Sequence, residues 1–502
     1  MKVSELFGRA GLDYSPEVGD IEVANIVTDS KQVTEGSLFL CIKGLHTDGH
    51  GFVKDAINAG AKVIVTEQVR EACVGGAAAQ IVLKNTRRAA ALLYNAWYGN
   101  PTEKLKIIGV TGTNGKTSVC TLLSELFEAA GYRCGIIGTV CCKSADGRAL
   151  SLSQKKGLAN MTTPDPESLY AMLAQMAADG VEIVLMEATS HALALHKVDA
   201  IRFDTAVFTN LSRDHLDFHG EMDAYFEAKK RLFSMCRQAV VCVDDPSGRR
   251  LLDEISCPAV TYSMAEGDYC ALVLEQRGLG GFRIRIRTPK EAFETDLPLV
   301  GEFFIKNALA AAAVALEYGV SSETVCACLR QTRGVCGRME RLTLEPPPNF
   351  TVLIDYAHTP DALENLLKSV RACRGEGERI VLLFGCGGER DRGKRKEMAI
   401  IASRLADRII LTSDNSRGED PEQIFSDVLK GIDKEKEYVV IKDRQEAIAY
   451  AIESAREGDA ILLAGKGHET YEINGSGRHA FDEREIVRTV WSRFWRERNG
   501  TK

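Results

Sequence analysis

Short apolar runs, β-branched and without alternation, recur along the chain, and each ends abruptly in a polar, glycine-rich or charged loop. KIIGV (106–110) leads into TGTNGKT, EIVLM (182–186) into EATSH, and TAVFT (205–209) into NLSRDH. Further on, TVLI (351–354) leads into DYAH, IVLLF (380–384) into GCGGERDRGK, IILT (409–412) into SDNSR, and ILLA (461–464) into GKGHE. Such runs fit strands buried on both faces of a parallel sheet. Helical stretches lie between them, among them 119–131 and 307–319. Ligands of open α/β sheets bind outside the carboxyl ends of the strands, so seven loops of this kind in succession point to a binding or catalytic protein. The first hundred residues form a smaller α/β pattern, with strands at 37–42 and 62–67 and a helix at 53–60. Tyr98–Pro101 has turn chemistry and serves as a linker, and PPP at 346–348 marks a second break. The expected architecture is α/β with three domains, 1–100, 101–336 and 337–502, and an active site between the last two.

A length of 502 residues suits three domains of ordinary size. The net charge of -7 argues against a broad nucleic-acid surface. The amino-terminal segment has no apolar core of a signal peptide, and no run of about 18 apolar residues appears. The 15 cysteines include no C-x-x-C pair and lie mostly in apolar runs. Buried thiols in a reducing compartment, and hence a cytoplasmic protein, are the expectation.

TGTNGKT (Thr111–Thr117) follows a strand and opens a helix, the setting in which glycines let backbone amides approach a phosphate. Lys116 is placed to meet the β- and γ-phosphates and Thr117 a Mg²⁺ ion; Val110 stands where the general pattern has glycine. Glu187 and His215 end strands and suit a second Mg²⁺, with His191 close by, although a loop carboxylate or imidazole alone is more often a plain hydrogen-bond partner. Lys229 falls on the apolar stripe of Met222, Tyr225, Phe226, Leu232 and Phe233. An ammonium there must snorkel, pair or lose its charge; snorkelling is the plain reading and a carbamate the sharper one. Asp355 and His358 can hold a ribose or phosphate, or the segment can cap a helix through Thr359 or Asp361. Arg338 can reach a triphosphate, and Arg390 and Arg417 can each grip a carboxylate in two parallel hydrogen bonds or remain solvated loop charges.

TGTNGKT, NLSRDHLDFHG, GRME, DYAHTPDAL, FGCGGERD and AGKGHE occur in one order over nearly the whole chain. In this the sequence resembles the Mur ligases, and among them the branch that adds the third amino acid to UDP-N-acetylmuramoyl-L-Ala-D-Glu. The resemblance implies a UDP-binding domain, a central P-loop ATPase domain and a Rossmann-like C-terminal domain, in a cytoplasmic monomer serving peptidoglycan synthesis. It implies that Ser30, His46, Thr162, Thr163, Thr189 and Lys197 bind the UDP precursor. Gly112, Thr113, Asn114, Gly115, Lys116, Thr117, Asn307, Arg338 and Asp355 bind ATP. Thr117, Glu187, His215 and an N6-carboxylated Lys229 serve Mg²⁺, and Lys116, Glu187, His215 and Lys229 carry the catalysis. Arg390, Asp414, Asn415, Arg417, Gly465 and Glu469 take the amino acid. The implied chemistry is transfer of the γ-phosphoryl group to the precursor's terminal carboxylate, followed by attack of an amine on the acyl phosphate.

The sequence departs from the family pattern at four places. Ser416 replaces the proline of Asp-Asn-Pro-Arg, Lys197 an arginine, Phe304 an asparagine near adenine, and Met161 an asparagine before the threonine pair. Because Arg417 remains, meso-diaminopimelate is the expected amino acid, with L-lysine or another diamino acid as the alternative. The P-loop and its neighbours would also suit a folylpolyglutamate synthase or a non-catalytic paralogue. The TDS and LHTDGH segments oppose the first, and the intact Lys116, Thr117, Glu187, His215 and Lys229 oppose the second.

Overall fold

The computed structural model describes residues 1–44, 47–73, 77–148, 150, 161–375 and 377–499. It divides into two compact units, Met1–Tyr269 with Ala310–Val320, and Cys270–Leu309 with Ser321–Lys502.

The first unit carries two sheets. Four short parallel strands, Ile26–Val27, Leu38–Leu40, Val63–Thr66 and Ala79–Val82, lie side by side in chain order. Leu38–Leu40 and Val63–Thr66 are buried at every position, which is why their sequences show no alternation. The larger sheet runs Ala259–Ser263, Cys236–Cys242, Phe203–Phe208, Lys106–Thr111, Ile183–Glu187, Cys134–Ile137, parallel throughout, with Cys142–Lys143 antiparallel beside the last. From Lys106–Thr111 the chain proceeds to Cys134–Ile137; from Ile183–Glu187 it returns past Lys106–Thr111 to Phe203–Phe208. A ligand crevice is expected at the carboxyl ends of strands where the direction of winding changes. Both sheets share one apolar core, in which Leu6, Phe7, Ala90 and Leu93 join Leu169, Tyr170, Ile107 and Phe203.

In the second unit five parallel strands are ordered Thr351–Asp355, Ala460–Ala464, Ile380–Phe384, Arg408–Leu411, Glu437–Val440, with Glu340–Arg341 antiparallel at the first edge. Two antiparallel elements were not foreseen: Tyr269–Gln276, Phe282–Arg287 and Ala292–Leu297 form a meander, and Tyr471–Asn474 and Gly477–Ala480 a hairpin. FRIRIR alternates buried and exposed along Phe282–Arg287, the signature of a strand with one solvated face.

The predicted strands and helices are present, with shifted ends. The helix expected over 119–131 is Lys116–Ala129, because Gly115 at φ +88° turns the chain directly into it. The helix expected over 307–319 is Glu302–Glu317. Among the described residues no helix is long and apolar enough to cross a membrane.

Candidate active site

In the first unit the loop Thr111–Thr117 leaves the carboxyl end of a central strand and is held from one side by the next strand's loop. Thr113 N donates to Asn210 O (2.9 Å) and Asn114 N to Asn210 Oδ1 (3.0 Å). In return, Asn210 Nδ2 and Thr209 Oγ1 donate to Asn114 O, and Ser212 N donates to Thr113 Oγ1 (3.0 Å). Gly112 lies at φ +149°, and a Cβ there would stand 1.9 Å from Thr209 Oγ1. Lys116 opens the helix and donates from Nζ to the carbonyls of Gly112 and Thr113, both at 2.9 Å.

Glu187 is the hub of the next shell and is 1% exposed. Its Oε1 accepts from Thr117 Oγ1 (3.0 Å) and Thr139 N (2.8 Å), and its Oε2 from Thr139 Oγ1 (3.1 Å). Thr139 Oγ1 meets Thr162 Oγ1 at 2.9 Å; Thr163 Oγ1 donates to the Glu187 carbonyl at 2.7 Å and lies 3.1 Å from Thr189 Oγ1. Three imidazoles gather next to this chain of hydroxyls: His191 lies 4.9 Å from His215 and 5.6 Å from His219, ring centre to ring centre. Burial and the neighbouring imidazoles keep His219 neutral, with its pKa lowered to about 4, and lower that of His191 also.

Lys229 does not snorkel. Its side chain is buried, Nζ donates to Gly112 O (2.8 Å), and the amine sits 4.5 Å from the centre of the Tyr225 ring. Burial first, and the Lys116 charge second, push its pKa well below the ordinary lysine value. Among the described residues no three His, Cys, Asp or Glu side chains converge as a ready metal cage. The pairing of the buried Glu187 carboxylate with the Thr117 hydroxyl, both hard oxygen donors, does fit a Mg²⁺ ion. Lys197, by contrast, pairs with Asp165 (2.8 Å) and approaches Met161 Sδ at 4.0 Å, so two of the departures from the family pattern touch each other. Ser30 sits on the turn Ser30–Gln32 and, among the described residues, shares no hydrogen bond with another predicted site residue; His46 lies outside the described residues.

The second unit holds a cavity of about 650 Å³ at the carboxyl ends of its parallel strands, lined by Arg390, Asp414, Asn415, Arg417, Gly465 and Glu469, as well as His358 and Lys394. All six residues predicted for the amino acid meet here. Arg417, at φ +53°, donates from Nη1 to the carbonyls of Gly388 (2.9 Å) and Asn415 (3.2 Å), which aims the rest of the guanidinium. Asp414 is buried; burial opposes its ionisation, but Arg444, Lys466 and the Asn415 amide together hold its pKa below the ordinary value. Asp355 accepts from Met339 N (2.7 Å) and Ala357 N (2.8 Å), burial raises its pKa, and Arg338 lies over the adjacent Tyr356 ring. Thr359 rather than Asp361 caps the following helix. Asn307 and Phe304 are both buried, and Phe304 packs on Phe303.

Arg444 had no motif to announce it. Its fully buried guanidinium donates to Glu483 Oε1 (2.8 Å), Ser413 O (2.9 Å) and Ala464 O (2.9 Å), tying together the ends of two strands that feed the cavity. Removing one partner of a buried pair costs about 3–5 kcal/mol because the other charge is stranded. Arg444→Leu is therefore expected to lower the thermal unfolding midpoint by many degrees in calorimetry; an unchanged midpoint would show that the pair contributes nothing net.

Three family models match in succession: "Mur ligase family, catalytic domain" over residues 22–98, "Mur ligase middle domain" over 110–315, and "Mur ligase, glutamate ligase domain" over 337–467. The chain is 42% identical over 482 residues to the UDP-N-acetylmuramoyl-L-alanyl-D-glutamate–2,6-diaminopimelate ligase of Geobacillus kaustophilus, covering 94% of this chain and 95% of that one.

The chain belongs to the Mur ligase family.

A similarly named ligase of Clostridioides difficile is 39% identical over 502 residues, covering 98% of this chain and all of the relative. A solved structure bearing the same ligase name superposes with a TM-score of 0.72 at 31% identity, covering 98% of this chain and 99% of that one. The Mur ligase fold accounts for the three α/β domains and their parallel-rich sheets, and membership makes the protein an ATP-dependent acid–amino-acid ligase. Sequence reading missed the residues that brace the Mur ligase loops, Thr139, Asn210, Arg444 and Lys466. Asn210 and Lys466 stand inside recognised motifs, NLSRDH and GKGHE, and were the two with a signal.

Proposed function

We propose that this chain joins meso-diaminopimelate to UDP-N-acetylmuramoyl-L-Ala-D-Glu at the expense of ATP, as a cytoplasmic monomer in peptidoglycan synthesis. The observation that carries the choice of amino acid is the cavity of the second unit, where Arg390 and Arg417 share one wall system with Asp414 and Glu469. Paired guanidinium groups and carboxylates suit a substrate bearing two carboxylates and two ammonium groups. The names of the full-length relatives support the same reading.

In this reading the domains run 1–100, 101–336 and 337–502. The amides of Gly112–Lys116 cradle the ATP phosphates, Lys116 turns from its own loop carbonyls to the β- and γ-phosphates, and Asn307, Arg338 and Asp355 hold the rest of the nucleotide. Ser30, His46, Thr162, Thr163, Thr189 and Lys197 bind the precursor. Thr117 and Glu187 would hold one Mg²⁺, and Glu187, His215 and a carbamate on Lys229 a second; such ions offset charge on the transferring phosphoryl group. A neutral amine at Lys229 is the form that adds to CO2, forming the N–C bond and releasing a proton.

The test is phosphate release and product mass with ATP, Mg²⁺ and the UDP-dipeptide, offering meso-diaminopimelate and L-lysine separately. Product with diaminopimelate alone supports the proposal; product with lysine alone retains the ligase and overturns the amino acid. Arg417→Ala is expected to raise the KM for diaminopimelate about 10- to 100-fold, the worth of one charge-assisted hydrogen-bonded contact. The KM for ATP should stay near its original value; equal rises in both would remove Arg417 from the amino-acid site.

A further inference from the structure

Among the described residues Lys466 is the most deeply buried lysine of the second unit, with no exposed surface, and it stands outside the lining of the cavity. Its Nζ donates to Asn415 Oδ1 (3.1 Å) and Tyr471 O (3.0 Å), and lies 3.9 Å from Asp414 Oδ1. Asn415 Oδ1 also accepts from Ile473 N at 2.8 Å. Two donors on one oxygen leave the amide a single orientation, since turning it over would set its NH2 against both of them. The opposite end, Nδ2, then points to Glu469 Oε2 at 2.8 Å, and the Tyr471 hydroxyl approaches Glu469 Oε1 at 3.4 Å. Glu469 lines the cavity and Lys466 does not.

We infer that Lys466 is a positioning residue for amino-acid selection: through the Asn415 amide it fixes the Glu469 carboxylate to receive an ammonium group of the incoming diamino acid. The inference rests on the amino-acid site proposed above. A buried lysine is costly unless its donors are used, and here two of its three hydrogen-bond protons are spent on a strand carbonyl and on the amide that orients Glu469. Asn415, in turn, has its oxygen committed to Lys466 and Ile473 and an amide proton to Glu469, so it holds Glu469 in place from the wall of the cavity that it also lines. The hairpin strand Tyr471–Asn474 enters the same network through Tyr471 O and Ile473 N, which gives it a role beyond covering the sheet.

The experiment compares Lys466→Met, which keeps length and loses the donors, with Lys466→Gln, which keeps a donor and loses the charge, in the full-length enzyme. Steady-state KM is measured separately for the diamino acid and for ATP, with the thermal midpoint as a folding control. The expected result is a rise of more than about tenfold in the KM for the diamino acid with Lys466→Met, a smaller rise with Lys466→Gln, and an unchanged KM for ATP in both. Equal rises for both substrates, or an unchanged KM for the diamino acid, would overturn the inference. Should Lys466→Met not fold, Asn415→Asp supplies the same test: it retains the acceptor for Lys466 and Ile473 but sets a carboxylate against Glu469. Its KM for the diamino acid must rise for the relay to stand. Wild-type enzyme that ligates no diamino acid would instead defeat the proposed function, an outcome read before any variant is made.

Discussion

Lys229→Met is expected to reduce turnover by about 10²- to 10³-fold, the loss typical of removing a group that acts on charge in the transition state, while leaving the protein folded. Methionine fills nearly the same volume on the apolar stripe, and the lost hydrogen bond to Gly112 O is one of three that lysine amines make to the nucleotide loop's carbonyls. If the amine carries a carboxylate during catalysis, a small carboxylate such as formate should restore part of the activity to the variant. The alternative is that Lys229 merely braces the loop. In that case kcat would hold and the KM for ATP would rise, because the loop would be less well arranged to receive phosphates. Steady-state kinetics with and without formate separate the two, and full turnover in Lys229→Met would leave the residue a structural tie.

Gly112→Ala should be almost as damaging for a different reason. At φ +149° an L side chain is strained whatever space surrounds it, and here the space is occupied, by Thr209 Oγ1 at 1.9 Å and Asn210 N at 3.1 Å. Thr209 cannot simply turn aside, because its hydroxyl donates to Asn114 O at 2.6 Å and so helps Asn210 hold the loop in place. The substitution must move either the loop or the neighbouring strand end. A residue forced into such a region costs about 1–3 kcal/mol, and a displacement of about 1 Å in a phosphate-binding loop costs about a hundredfold in rate. The expected result is a fall of that order or more in kcat/KM for ATP, with a lower thermal midpoint. Near-normal kinetics would show that the loop does not need its present path.

The strands were legible because burial on both faces removes alternation, and each apolar run found in the sequence became a strand whose carboxyl end carries a polar loop. The two antiparallel elements were not read, even though FRIRIR carries a plain period of two; it was overshadowed by the parallel pattern around it. The six amino-acid residues could be named because they stand in short motifs, and their convergence on one cavity follows from strand order, which a linear reading does not contain. Arg444 was out of reach for another reason: it owes its role to a carboxylate and two carbonyls contributed by distant segments, and a single basic residue in sequence is indistinguishable from a solvated one. Lys466 stood in GKGHE beside Gly465 and Glu469, and only its buried partners were hidden. Lys229 shows the middle case: its position on an apolar stripe raised the question, and only the packing around it excluded snorkelling.

The apolar cluster that runs from Leu6 and Phe7 through Leu93 to Tyr170 and Phe203 has a consequence for how this ligase tolerates damage and engineering. One face of the amino-terminal sheet closes over its own cluster of Val27, Phe39, Val53 and Ile64, but the other, through Leu38, Leu40, Val63 and Val65, shares its interior with the nucleotide-binding sheet, so the two sheets of the first unit should melt together. A destabilising change near residue 7 would then be felt at the ATP loop, more than a hundred residues away in sequence. By the same reasoning, grafting the amino-terminal segment of another relative onto this chain would succeed only if the facing side chains of the helix Pro166–Ala178 were exchanged with it.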